Sequence, residues 1–307
     1  MILFLVLSII VAAVRGLAQG GGEQREAPFE RMPRVVVEGE QPESQEPIGP
    51  YNQPRWSARG RFSSDTDVYV LPPYLFYLDL DYQATIPKHG SAAHKFTQEF
   101  ELGLPYRFQL AYENNVETKN RHTQVTEQTI EARYALADWG KIPLNPTLFA
   151  EYKFGVGKDY DRQEDPDDPL HRLPDAFEVR LLLGEQLGPK WQWALNLFHE
   201  QQTGGEKEWE SGFSQAFSYA IRDEYLKAGV EMQFIRETDQ EDRSHPDYEF
   251  NIGPTLTWKP CKHARLDVAT LFGTTPDSPT AKVFAVFSYA FGSADEEVEA
   301  PVSTRNR

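Results

Sequence analysis

Fourteen charged side chains carry most of the chemistry this sequence can offer: Glu99, Glu101, Arg107, Glu113, Glu131, Arg133, Glu151, Lys153, Glu178, Arg180, Lys227, Glu231, Arg265 and Asp267. Most of them stand between two apolar neighbours, so their side chains leave the backbone opposite an apolar face. Isolated charges cannot remain in a dry interior; they must be paired or wet. Two arrangements satisfy that requirement. One is a hydrated bore in which acidic and basic rows shape the field. The other is a closed lumen in which the same groups neutralise one another. Acidic residues outnumber basic ones on this face, so a bore would weakly prefer cations or zwitterions.

Other reactive groups carry weaker signals. Residues 159–175 hold the densest carboxylate cluster, and Asp165, Asp167, Asp168 and His171 could hold a divalent cation. Their spacing does not match an EF-hand loop, and Pro166 and Pro169 interrupt it. A solvated loop is the better reading, so no metal and no cofactor is predicted. A lipid hydrolase would need a serine nucleophile beside a histidine base at the protein wall. His199 is one candidate base, and His245, next to Ser244, is another. No strand shows a His-x-Ser pattern, and the prediction is that the chain is not an enzyme. Cys261 lies in a Pro260-Cys261-Lys262 turn and is expected to be inert.

The elements that must hold the fourteen charges are strands. From Tyr74 onward, segments of about ten residues alternate apolar and polar with a period of two, the signature of a sheet with one apolar face. Twelve such segments can be drawn: 74–87, 94–104, 107–117, 124–136, 147–155, 176–186, 191–200, 208–220, 224–235, 248–259, 263–273 and 281–291. In the fourth, Ile130, Ala132 and Tyr134 oppose Glu131 and Arg133. In the eleventh, Leu266, Val268 and Phe272 oppose Arg265 and Asp267. Gln215, in the eighth, is a polar mismatch on its apolar face. At about 10–13 residues the segments are longer than the usual soluble strand and long enough to cross a bilayer when tilted. Aromatics sit towards segment ends on the apolar face (Tyr82, Phe96, Tyr112, Phe154, Trp193, Tyr219, Trp258, Phe291), as the interfacial girdles of a membrane barrel require.

Connection lengths give an independent check. Those after even segments are mostly short (105–106, 187–190, 221–223, 260–262), and those after odd segments are often longer and polar (118–123, 156–175, 201–207, 236–247). The exception is 137–146, a long loop on the short-turn side. Short periplasmic turns and longer outer loops are the habit of bacterial barrels. An even strand number places both ends of the barrel on the periplasmic side. Recruiting 50–72 as a further pair would raise the count to fourteen.

A resemblance can now be stated. The stretch Glu99-Phe100-Glu101-Leu102-Gly103-Leu104-Pro105-Tyr106-Arg107-Phe108-Gln109-Leu110 resembles the hairpin of small bacterial outer-membrane barrels. It is similar to the outer-membrane family linked to the MetA pathway of phenol degradation, over roughly residues 70–291. That resemblance implies an outer-membrane barrel and transport, and it supplies no site residues. The last segment, with Val283, Ala285, Phe287, Tyr289 and Phe291 alternating to a final aromatic, resembles the closing-strand signal read by the barrel-assembly machinery.

The remainder of the chain is organised around that barrel. The sequence has 307 residues, 31 Lys+Arg against 47 Asp+Glu, and a net charge of -16. So acidic a balance excludes a nucleic-acid partner. Mean hydropathy is -0.57, and beyond residue 14 no run reaches the roughly 18 apolar residues of a spanning helix. Residues 2–14 are a short apolar core followed by Gly16-Leu17-Ala18, which reads as a signal peptide over 1–18, with an uncleaved anchor as the alternative. Residues 19–68 are rich in Gly, Pro, Glu, Gln and Arg, a composition that predicts a disordered periplasmic tail. Within it Arg34–Glu40 resembles the segment that opens the plug domains of TonB-dependent receptors, although the chain is too short for a barrel of that class. Trp56, Arg59, Arg61 and Phe62 are the residues of this tail suited to packing at the periplasmic mouth. Residues 292–307 form an acidic tail. The fold expected is therefore all-β: a transmembrane antiparallel up-and-down barrel of about twelve strands over 69–291. The function expected is passive passage of a small solute, with a non-conducting structural or surface-binding barrel as the alternative and a lipid hydrolase behind both. Outer-membrane lipid and lipopolysaccharide are the expected surroundings.

Overall fold

The computed structural model describes residues 50–54, 62–63, 66–158, 172–204, 207–222, 225–240, 243–261 and 263–291. The expected signal peptide, Arg34–Glu40, Trp56, Arg59, Arg61, the carboxylate cluster at 165–171 and the acidic tail lie outside the described residues.

Twelve antiparallel strands form the wall: β1 (Phe76–Ile86), β2 (Ala93–Leu104), β3 (Phe108–Lys119), β4 (His122–Ala135), β5 (Thr147–Gly155), β6 (Ala176–Leu187), β7 (Trp191–Gln202), β8 (Trp209–Arg222), β9 (Leu226–Thr238), β10 (Asp247–Trp258), β11 (Ala264–Gly273) and β12 (Ala281–Phe291). Each pairs with its neighbours in sequence, and β1 pairs with β12 to close a barrel. The closing seam runs without a break from Phe76 opposite Phe291 to Ile86 opposite Ala281. Closure removes both sheet edges, so every strand has a partner on each side. The twelve-strand count stands, and the described residues of 50–72 supply no additional wall strand.

Burial is inverted relative to a soluble protein. Glu99, Glu131 and Glu231 are 0%, 1% and 0% exposed, whereas Ile130, Leu148 and Phe272 are 53%, 48% and 52% exposed. Alternation along each strand does this, because successive side chains fall on opposite sides of the wall. The outer surface carries aromatics towards both ends. Phe76 packs on Phe291 with ring centroids 5.5 Å apart, and Trp191 packs on Phe217 and Tyr219 at 4.9 and 4.7 Å, all near the short-turn end. Tyr82 and His94 stack at 6.0 Å, and Tyr152 and Phe154 meet at 4.8 Å, near the long-loop end. Gln215, the polar mismatch, faces outward between Leu195 and Met232.

One connection differs from expectation. The polar stretch 118–123 reads as a loop, but β3 and β4 continue through it to a two-residue turn, Asn120-Arg121, with φ of 49° and 69°. A two-residue hairpin with both central φ positive matches the twist of its strands, and asparagine tolerates that conformation well. Thr118 and Thr123 then face each other across the hairpin, their hydroxyl oxygens 2.9 Å apart. The long connection at 137–146 on the short-turn side is real, and its Trp139 turns into the barrel.

Val268 lies midway along β11 on the outer face, opposite Leu256 and Ala285. Placing an arginine at the mid-depth of a barrel's lipid face costs about 2–4 kcal/mol. Val268→Arg is therefore expected to lower stability in lipid vesicles by that amount, read from urea unfolding against Val268→Leu.

Candidate functional site: the charged lumen and the finger across it

The lumen is built from the inward position of each strand. Register brings eight carboxylates into one continuous row. Glu101 pairs through Ala111 with Glu131, Glu131 with Glu151, Glu151 with Glu178, and Glu178 with Glu200. Glu200 then pairs with Glu210, Glu210 with Glu237, and Glu237 with Asp247. The row starts near the short-turn end of β2 and finishes at the long-loop end of β9 and β10. Like charges directly opposite one another destabilise a strand pair, so the row needs counter-charges.

Three cations supply them, each two residues after a glutamate of the row and therefore on the same face. Arg133 pairs with Glu131, lies 3.4 Å from Glu101 and 3.7 Å from Glu99, and reaches Asp67 at 3.0 Å. Lys153 is 3.0 Å from Glu151, 3.2 Å from Glu178 and 2.5 Å from Glu200. Arg180 pairs with Glu178. The guanidinium groups of Arg133 and Arg180 both lie over the Phe149 ring, at 5.3 and 4.7 Å from its centroid. Beyond Glu200 the balance changes. Glu210 and Glu237 make no ion pair among the described residues and feel Lys153 and Lys282 only at longer range, so the cations are concentrated at the deep end of the row and thin out towards the long-loop mouth.

The other sequence-predicted residues divide between the lumen and its rim. Carboxylate oxygens of Glu99, Glu113 and Glu131 lie within 4.8 Å of one another, as do those of Asp79, Glu99 and Glu101. Arg133 reaches into both groups. Arg265 and Asp267 pair at 2.5 Å on β11. Lys227 donates to Gln192 at 3.1 Å. Arg107 departs from the expectation: it sits in the β2–β3 turn and pairs at 3.0 Å with Asp138, so it belongs to the short-turn rim. Asp67, Glu200, Glu210, Glu237, Asp247 and the 2.7 Å pair Lys282–Glu249 were not singled out from sequence, although alternation places all but Asp67 on the inner face.

A second structure shares the lumen. The described residues before β1 contact the barrel at its short-turn mouth and inside its bore. Tyr51 donates through its hydroxyl to Leu104 O at 2.9 Å, and Asn52 to Trp139 O at 3.1 Å. Phe62 N–H then donates to Thr66 O at 2.9 Å, closing the tip of a finger. At that tip Ser63 N–H donates to Glu231 at 3.2 Å. Asp67 meets Arg133, and the Asn196 amide, turned to suit, accepts from Asp67 N–H at 2.7 Å and donates to Asp67 O at 2.8 Å. Leu71 N–H donates to Gln109 at 2.8 Å before the chain joins β1. Phe62, Val68, Tyr69 and Val70 form an apolar cluster with Ala135, Trp139, Ala194 and Ala216. Its partners lie on β3, β4, β7, β8, β9 and β10, so the finger crosses the bore. Residues 62–63 and 66–68, read as tail from composition, are buried here.

The candidate catalytic groups resolve differently. Ser244 and His245 are exposed in a loop, 3.1 Å apart. His199 stands directly opposite Ser211, with Nδ1 2.7 Å from Oγ, a cross-strand pairing that a search along single strands missed. It lies on the outer wall and has no carboxylate partner among the described residues.

With this geometry in view, comparison with known proteins shows the fold. No family model and no curated protein matches the chain. The crystal structure of an outer-membrane channel from Pseudomonas putida F1 matches over 73% of this chain and 98% of that one, at 12% identity and a TM-score of 0.52. This chain has the fold of a bacterial outer-membrane barrel. The Pseudomonas channel is of the MetA-pathway phenol-degradation family, to which the hairpin at 99–110 has its likeness. The KdgM and NanC porins each match over 70% of this chain and 99% of theirs, at 13% and 9% identity, both with a TM-score of 0.46.

Two substitutions separate the finger from the wall. A Cβ on Gly184 would run into Cγ1 of Val68. Gly184→Leu is expected to displace the finger and speed hydrogen exchange at the Val68–Leu71 amides while the strand amides stay protected. Arg133→Met leaves the surrounding carboxylates without their shared cation. It is expected to cost about 3–5 kcal/mol in urea unfolding from vesicles.

Proposed function

We propose that this barrel is a passive channel for small solutes in the bacterial outer membrane, selective for cations or zwitterions. The single observation that carries this reading is the in-register carboxylate row, which leads from the finger to the long-loop mouth and loses its counter-charges on the way. A closed wall with a charged, wettable interior is a conduit; an acidic row left partly unneutralised raises the local concentration of cations along it. The short-turn end, with both barrel termini, faces the periplasm in this reading, and the long loops face outward. The finger narrows the bore in this reading, because it crosses where Asp67 meets Arg133. Alternating outward residues of β12 serve as the signal for the assembly machinery. A second reading, a non-conducting barrel, is favoured by one observation only: the apolar cluster around Val68 and Trp139 fills part of the bore.

Single-channel recording in a planar bilayer under a salt gradient distinguishes the two. Discrete steps with a reversal potential on the cation side are expected. Glu210→Gln with Glu237→Gln should move that potential towards zero, and Gly184→Leu should enlarge the unit conductance. Silence from both the parent protein and Gly184→Leu, with intact β circular dichroism, would establish the non-conducting reading.

A further inference from the structure

The outer wall carries a polar row where an apolar girdle is the rule. Near the long-loop end, His199, Ser211, Arg236 and Tyr248 stand side by side on β7, β8, β9 and β10. All four are outward positions by alternation. Of the outward strand positions at this end among the described residues, Arg236 alone is a lysine or arginine, and it has no carboxylate partner among those residues. One step closer to the loops, Arg243 lies over the Trp209 indole, its Cζ 3.4 Å from the ring centroid. Its guanidinium is held there by donation to Lys207 O at 3.3 Å and to Thr238 Oγ1 at 3.5 Å. The Trp209 ring in turn meets the His199 ring edge-on at 6.2 Å.

One step towards the barrel's middle the next outward row is wholly apolar: Leu197, Phe213, Phe234 and Phe250, again one per strand. Phe213 and Phe234 stack with centroids 5.7 Å apart. A polar row with one guanidinium, and a second from Arg243 on its loop side, therefore lies directly over an apolar row. An arginine on the lipid face is tolerated at the interface, where it costs little. Two of them beside a hydroxyl and an imidazole offer the planar, multidentate donors that bind phosphate.

We propose that this face binds the phosphorylated headgroup of an outer-membrane lipid, with its acyl chains on the Leu197–Phe250 row. Arg236 and Arg243 grip the phosphate, Ser211 donates to it while accepting from His199 Nδ1–H, and Trp209 holds Arg243 in place. The proposal rests on the membrane-barrel reading but not on conduction, since every residue in it lies outside the lumen.

The test is native mass spectrometry of the full chain, titrated with diphosphorylated lipid A, with the same glycolipid stripped of phosphate, and with inorganic phosphate. A one-to-one adduct with the phosphorylated lipid is expected, and Arg236→Gln with Arg243→Gln should weaken it by about tenfold or more. Ser211→Ala should weaken it less, and Lys88→Gln, a cation elsewhere among the long loops, should leave it unchanged. Heat-modifiable gel mobility confirms that each variant is folded. Equal binding of the two glycolipids, full binding by the double variant, or inorganic phosphate binding as tightly as the lipid would each overturn the proposal. Conductance of the double variant should be unaltered, which separates this result from failure of the channel reading.

Discussion

Hydrocarbon offers no hydrogen-bond partner to a peptide group, and the whole architecture follows from that. A strand exposed to lipid must satisfy its backbone on both sides, so the sheet has to close on itself. The seam between Phe76–Ile86 and Ala281–Phe291 does this with unbroken register. Once the sheet is closed, the period-two geometry of a strand separates inside from outside without further specification. Apolar side chains at one parity face lipid, and charged side chains at the other are gathered into a confined space that they must share.

That confinement makes register a chemical variable. Slipping a single strand pair by two residues would keep every side chain on its proper face yet break the carboxylate row. In the observed register Glu131 meets Glu151 and Glu151 meets Glu178, while Arg133 and Lys153 each serve several acids at once. Shared cations tie strands together that are not adjacent; Lys153 on β5 reaches Glu200 on β7. The same electrostatics recruit the finger, because Asp67 completes the shell of Arg133.

The wall was legible in the sequence because parity needs only local information. The alternation Leu266, Val268 against Arg265, Asp267 reads directly from the chain, as do the other strands. Pairing between strands is not local, so neither the eight-carboxylate row nor the His199–Ser211 contact could be read from any one segment. The β3–β4 hairpin was hidden by polar composition, which turns share with loops; the asparagine at 120 was its one clear sign. Arg107 has the right parity but lies beyond the start of β3, where parity no longer dictates facing. The finger was masked by averaging: Val68-Tyr69-Val70-Leu71 is an apolar run, but it adjoins a Gly- and Arg-rich stretch whose mean composition reads as solvated.

The finger has both of its feet at the same mouth. Tyr51 and Asn52 are anchored at Leu104 and Trp139, and the returning arm runs straight into β1. Withdrawal and reinsertion require no strand to unzip, only the exchange of side-chain contacts inside the bore. Because the finger is tethered a few residues from its seat, its effective local concentration there is high, on the order of millimolar for a short flexible tether. The barrel thus carries its own intramolecular ligand, and any solute that enters the bore competes with a segment that is never far away.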